Sequence, residues 1–108
     1  MNEYIQQLID KGRKTILERE TAREEEQKPR LAAVREMLPE PLREYAEHLS
    51  GKTYQLRIEG LHWIMFDVEF VSKQGRPHAF APIEWTVVRR LRGIACPTLE
   101  EALYQASL

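Results

Sequence analysis

Three groups of side chains in this sequence are of types that carry chemistry, and each can be held to the spacing its chemistry needs. Asp67 and Glu69 fall two apart, so on an extended segment they share a face, with Glu84 in the facing run. A carboxylate set of that kind could hold Mg²⁺ for hydrolysis. The companion lysine of the restriction-endonuclease-like pattern would stand two residues beyond Glu69, where the chain has Val71. The three acids are therefore expected to be solvated charge that protects a sheet edge, and a metal-dependent enzyme ranks last among the functional readings. His48, His62 and His78 lie in three separate segments with no His-X-X-X-His or Cys-X-X-Cys spacing, so no metal ligand is assigned. Cys96 is the single cysteine, which excludes an internal disulfide. It stands beside Pro97 just before a helix start, where a thiolate would be favoured, but a lone cysteine is more often a small buried hydrophobe and is read as one. The five glycines are scattered singly and form no phosphate-binding loop, nucleophile elbow or dinucleotide fingerprint. No catalytic residue and no cofactor are assigned, and the protein is expected not to be an enzyme.

The third group is basic. Arg89, Arg90 and Arg92 end an extended run, and Arg76, with Lys73 and Arg57, could join them to contact phosphates, with Trp63 as a stacking surface for a base. The charge balance argues against it. Lysine and arginine total 16 against 17 acidic residues, for a net charge of −1, and the halves differ little: nine basic and eleven acidic residues precede position 51, seven and six follow. Nucleic-acid binders draw most of their affinity from neutralising phosphates, and this chain has no such basic excess. A nucleic-acid-binding accessory protein is the runner-up reading.

These groups must be positioned by the elements around them. Between Met1 and Gln27 there is no proline, and Met1, Ile5, Leu8, Ile9, Gly12 and Ile16 recur at i, i+3, i+4 intervals, which predicts an amphipathic helix. Further along the same face come Arg19, Arg23, Glu26 and Gln27, so residues 18–28 are expected to project into solvent. Pro29 predicts a break near Lys28. Leu31, Val34 and Leu38 predict a short second helix, and after Pro39 and Pro41 the residues Leu42, Tyr45, Ala46 and Leu49 predict a third, stopped at Ser50-Gly51. Residues 1–50 are thus expected to be helices and turns.

From Thr53 the period changes to two, with Tyr54, Leu56 and Ile58 on one face, and a three-stranded antiparallel meander is expected. The runs 61–72 and 78–88 flank a hairpin tip at Gln74-Gly75. In the register centred there, Ile64 opposes Trp85, Phe66 opposes Ile83, Val68 opposes Ala81 and Phe70 opposes Ala79. Pro77 and Pro82 have opposite parity and cannot both avoid ladder positions. Placing Pro77 in the loop tip makes the third strand a sheet edge. Thr98 to Glu101 matches a capping box, with Leu99, Ala102, Leu103 and Ala106 behind it, so a short C-terminal helix closes the chain.

The opposite face of the hairpin carries Leu61, Trp63, Met65, Val71, Phe80 and Val88, interrupted by Asp67, Glu69 and Glu84. Both sheet faces are therefore apolar, and the second must be covered by the N-terminal helices or by another chain. The expected molecule is a single α+β domain over residues 1–108: a helical arm and helices to residue 50, then the meander and C-terminal helix. At 108 residues, 43% hydrophobic and 31% charged, the chain has the length and composition of one globular core. The longest apolar run, Trp63 to Phe66, is far below the ~20 residues of a membrane helix, and residues 1–20 hold no signal-peptide core, so a cytoplasmic protein without a membrane partner is expected. The leading reading is a small protein-protein interaction module, a homo-oligomer or the binder of another protein, with contacts through Ile5, Leu8, Ile9, Ile16, Trp63 and Met65.

Overall fold

The computed structural model describes residues 2–108; Met1, the first member of the helical stripe, lies outside them. The first helix, α1, runs from Glu3 to Met37 as one element of 35 residues. Its N-cap is Asn2, whose side-chain oxygen accepts from the Tyr4 amide at 2.7 Å. The break expected near Lys28 does not occur, because Pro29 lies within the helix. Pro29 and Glu25, whose carbonyl loses its amide partner, are both exposed, so water can take that carbonyl. Contacts just before and just after the proline clamp the flanking turns: the Tyr54 hydroxyl donates to Gln27 Oε1 at 3.1 Å, and the Arg30 guanidinium stands 5.7 Å from the centre of the Phe70 ring.

A 3-10 turn, Glu40–Tyr45, leads into a strand β1, Ala46–Ser50. The third helix expected over Leu42 to Leu49 is therefore not formed, and residues 1–50 are not wholly helical. Six more strands follow: β2 (Thr53–Leu56), β3 (Trp63–Asp67), β4 (Phe70–Lys73), β5 (Arg76–Ala79), β6 (Trp85–Arg89) and β7 (Arg92–Cys96), then helix α2 (Leu99–Ser107). In place of a three-stranded meander the chain builds a five-stranded antiparallel sheet, ordered β1-β2-β3-β6-β7, with the β4–β5 hairpin as a separate two-stranded sheet. The N-cap half of the expected capping box is present, with Thr98 Oγ1 accepting from the Glu101 amide at 3.2 Å and donating to Glu101 Oε2 at 3.0 Å.

The register explains where the prolines went. At the tip Phe70 pairs with Ala79, as the Gln74-Gly75 centring predicts. Deeper in the sheet Phe66 pairs with Trp85 and Ile64 with Val87, a slip of two residues from the expected pairs. The extra residues lie in the irregular segment 80–84, which contains Pro82, while Pro77 occupies the short strand β5 opposite Ser72. A slip of two preserves side-chain parity, so the inward face survives it. Strand β6 is not an edge either: β7 pairs along it through the two-residue turn Arg90-Leu91.

One face of the large sheet carries Ala46, Tyr54, Leu56, Ile64, Phe66, Trp85, Val87 and Cys96, and these form a single core with Val34 and Leu38 of α1 and Ala102 and Ala106 of α2. Both helices therefore pack on this one face, so the N-terminal helix does not supply the cover expected for the second. The radius of gyration, 18.2 Å, exceeds the roughly 13 Å of a compact chain this long, because α1 extends well beyond the body it docks on.

Candidate functional site

The docked part of α1 begins at Gln27; every residue from Asn2 to Glu26 is exposed. Residues 3–26 span roughly 36 Å at 1.5 Å per residue. The projecting segment expected over residues 18–28 is part of this longer arm. Ile5, Leu8, Ile9 and Ile16 are all exposed on it and lie along one side of the helix. Ile16 precedes the buried Val34 by five full turns, so the stripe continues the same helix face that enters the core. Beyond Ile16 that face carries Arg19 and Arg23.

The second exposed surface is the sheet face turned away from the helices. The pairing register places Thr53 and Gln55 of β2, Trp63, Met65 and Asp67 of β3, Thr86 and Val88 of β6, and Gly93 and Ala95 of β7 on it. Trp63 is 40% exposed. Its indole is held by a polar relay: Trp63 Nε1 donates to Gln55 Oε1 at 2.5 Å, and Gln55 Nε2 donates to Glu47 Oε2 at 2.9 Å. Gln55 is only 6% exposed, so its amide needs these partners. A Cβ on Gly93 would stand 3.0 Å from Thr86 Cγ2, so the glycine leaves room for the threonine on this face. At the Asp67 end of β3, residues 80–84 line an open groove of about 730 Å³ together with Met65, Asp67, Glu69 and Thr86. Phe80 and Ile83 on that segment are exposed, Ile83 at 93%.

The carboxylates Asp67, Glu69 and Glu84 do come together around this groove. Asp67 accepts from Thr53 Oγ1 at 2.6 Å, and Glu69 is held by Lys52 Nζ at 3.0 and 3.1 Å. Among the described residues no three histidine, cysteine or carboxylate groups stand close enough to hold a metal ion. His48 Nε2 lies 3.0 Å from the Gly51 carbonyl, and His62, in the segment before β3, and His78 of β5 are exposed elsewhere. Cys96 is buried beside α2 in the core, where desolvation pushes its thiol above the ordinary value and the carboxylates of Glu101 and Glu84 add to the shift. A thiol so placed has little thiolate to act as a nucleophile. Burial likewise raises the Tyr54 phenol, an effect that the Arg30 guanidinium partly offsets.

The basic candidates are split. Arg89, Arg90 and Arg92 gather at the β6–β7 turn, on the Trp63 end of the sheet, since Val88 pairs with Trp63. Arg76 pairs with Lys73 at the tip of the β4–β5 hairpin, beyond the other end of β3, so it does not join them. Arg90 and Leu91 both have positive φ, 45° and 67°, and Leu91 is fully exposed.

Spacing in the sequence singles out Trp63, Met65 and the isoleucine stripe as candidates, but not Gln55 or the segment that carries Phe80 and Ile83. The opposite parity of Pro77 and Pro82 signalled that segment, because it required irregular backbone in one of the two places. No helix among the described residues is long and apolar enough to cross a membrane. No protein-family model matches the chain, and no curated protein and no solved structure is significantly similar to it.

Proposed function

We propose that the protein is a non-enzymatic interaction module that self-associates, using the isoleucine stripe of the α1 arm together with the open sheet face around Trp63 and Met65. The observation that carries this reading is the arm itself: Asn2 to Glu26 are exposed without exception, yet Ile5, Leu8, Ile9 and Ile16 line one side. Helices in folded proteins owe most of their stability to a packed apolar face, and contiguous exposed apolar surface marks a contact site. A second exposed apolar surface on the sheet supports the same reading. Sedimentation of the purified protein tests it. The wild-type chain is expected to sediment as a dimer or larger at micromolar concentration, with a melting temperature that rises with protein concentration, and Ile9→Asp as a folded monomer whose cooperative melting no longer depends on concentration, because Ile9 lies on the exposed arm outside the core. A monomeric wild type overturns the proposal.

A second reading, nucleic-acid binding, has one observation in its favour: three arginines on a single turn at the end of the sheet that bears the half-exposed Trp63. The indole is already engaged by Gln55, and the net charge of −1 gives no wider basic footprint, so we rank it second.

A further inference from the structure

We infer that self-association is reciprocal: the α1 arm of one copy lies across the open sheet face of the other, its isoleucine stripe against Met65 and Ile83, and Arg19 and Arg23 toward Asp67, Glu69 and Glu84. This inference rests on the self-association proposed above and names its contact.

The first argument is geometric. Val34 faces the closed side of its own sheet, and the stripe follows the same line of the helix five turns earlier. Because α1 is continuous from Glu3 to Met37, the arm cannot turn round to the other side of its own sheet. Only the arm of another copy can reach that side. The second argument is complementarity. The groove pairs apolar Met65, Phe80 and Ile83 with three carboxylates, of which Glu69 is paired with Lys52 while Asp67 and Glu84 make no ion pair among the described residues. The side of the arm that bears the stripe is apolar from Ile5 to Ile16 and then carries Arg19 and Arg23, ahead of Glu26, which is already paired with Arg30, so the two arginines are the charges this side presents next to the stripe.

The third argument separates this arrangement from pairing of two arms. The apolar stripe covers barely two heptads, short of the three or four that sustain a coiled coil. Arm-on-arm pairing would also leave the sheet faces bare, whereas arm-on-sheet contact covers both surfaces at once. A two-fold axis makes the contact twice, which brings a helix-in-groove contact toward the roughly 1,200 Å² or more that stable interfaces bury.

Cross-linking decides it. In a Cys96→Ala background, Ile16→Cys, the stripe residue next to Arg19, is made in one version of the full chain and Ile83→Cys in a mass-tagged second version; both sites are exposed, so neither cysteine disturbs the core. The two are mixed, allowed to exchange and mildly oxidised. A disulfide joining position 16 to position 83 between unlike chains is the expected product. Disulfides between two copies of position 16, with a dimer still present by sedimentation, overturn the inference in favour of arm pairing and leave the proposed function standing. A monomer with neither product overturns both. As an independent measurement, Arg19→Glu with Arg23→Glu is expected to raise the dimer dissociation constant about tenfold, and adding Glu84→Arg to recover at least part of that loss. No weakening, or weakening that the swap fails to relieve, removes the charge contact from the proposal.

Discussion

The relay beneath Trp63 makes a prediction in which the cost depends on which partner is removed. Gln55 lies in the second strand of the sheet, 6% exposed, with its carbonyl oxygen on the Trp63 indole and its amide on Glu47. Trp63→Phe keeps an aromatic ring but deletes the donor, so a buried acceptor is stranded, at a cost of about 1–3 kcal/mol. Gln55→Leu removes the acceptor instead. The indole, 40% exposed, and the exposed Glu47 carboxylate can then bond water, so this change costs within about 1 kcal/mol. In the double variant no buried polar atom is left unpaired, and its stability should lie close to that of Gln55→Leu alone. The coupling in the double-mutant cycle therefore equals the whole cost of Trp63→Phe, about 1–3 kcal/mol. Urea denaturation followed by circular dichroism resolves it, since a change of 2 kcal/mol shifts the midpoint by on the order of 1 M. Additivity within about 0.5 kcal/mol would refute the reasoning, because it would mean that the Gln55 side chain does not depend on the indole.

Three further outcomes are expected. Replacing the Arg90-Leu91 turn by Asn-Gly relieves two left-handed residues, each costing about 1 kcal/mol, and should raise the melting temperature by roughly 8–16 °C, whereas Leu91→Ala should give no gain. Cys96 and Tyr54 hold their protons more tightly folded than unfolded, so their contribution to stability is intact below their ordinary values of 9.0 and 10.0 and is lost as pH rises through the raised ones. Melting temperature should therefore fall above about pH 9, and less steeply at the onset for Cys96→Ala; equal slopes would remove Cys96 from that account. Finally, oligonucleotide binding followed by fluorescence anisotropy at low salt should be absent; a logarithmic salt slope of about −2.7, the signature of three phosphate contacts, would promote the nucleic-acid reading.

The parts of the fold legible in the sequence are those governed by local periodicity and local caps. Alternation from Thr53, the Gln74-Gly75 tip, the Thr98 N-cap and the exposed run after Ile16 each have a short-range cause, and each stands in the structure. The misreadings have tertiary causes. Leu42, Tyr45, Ala46 and Leu49 fit a helical interval, but Ala46–Ser50 gains more as a strand, with Ala46 paired to Leu56 and buried in the core. Strand β7 escaped notice because its turn is Arg90-Leu91, which lacks the glycine or asparagine that positive φ favours. Pro29 suggested a break, yet contacts from Tyr54 and Phe70, distant in sequence, hold the turns around it. Of the candidate site, the stripe and Trp63 were readable from spacing, while the segment at Phe80 and Ile83 arises from a two-residue slip that no local signal sizes.

An uninterrupted α1 also fixes a phase relation between the two ends of the molecule. One residue inserted between Glu18 and Glu26 would swing everything upstream by about 100° and aim the isoleucines sideways, while seven would restore their bearing to within about 20° and lengthen the reach by roughly 10 Å. Span and bearing of this projecting shaft are thus set by a count of residues, and the segment from Glu18 to Glu26, which contributes no apolar side chain larger than alanine, acts as the gauge that sets how far from the sheet its isoleucines are presented and in which direction.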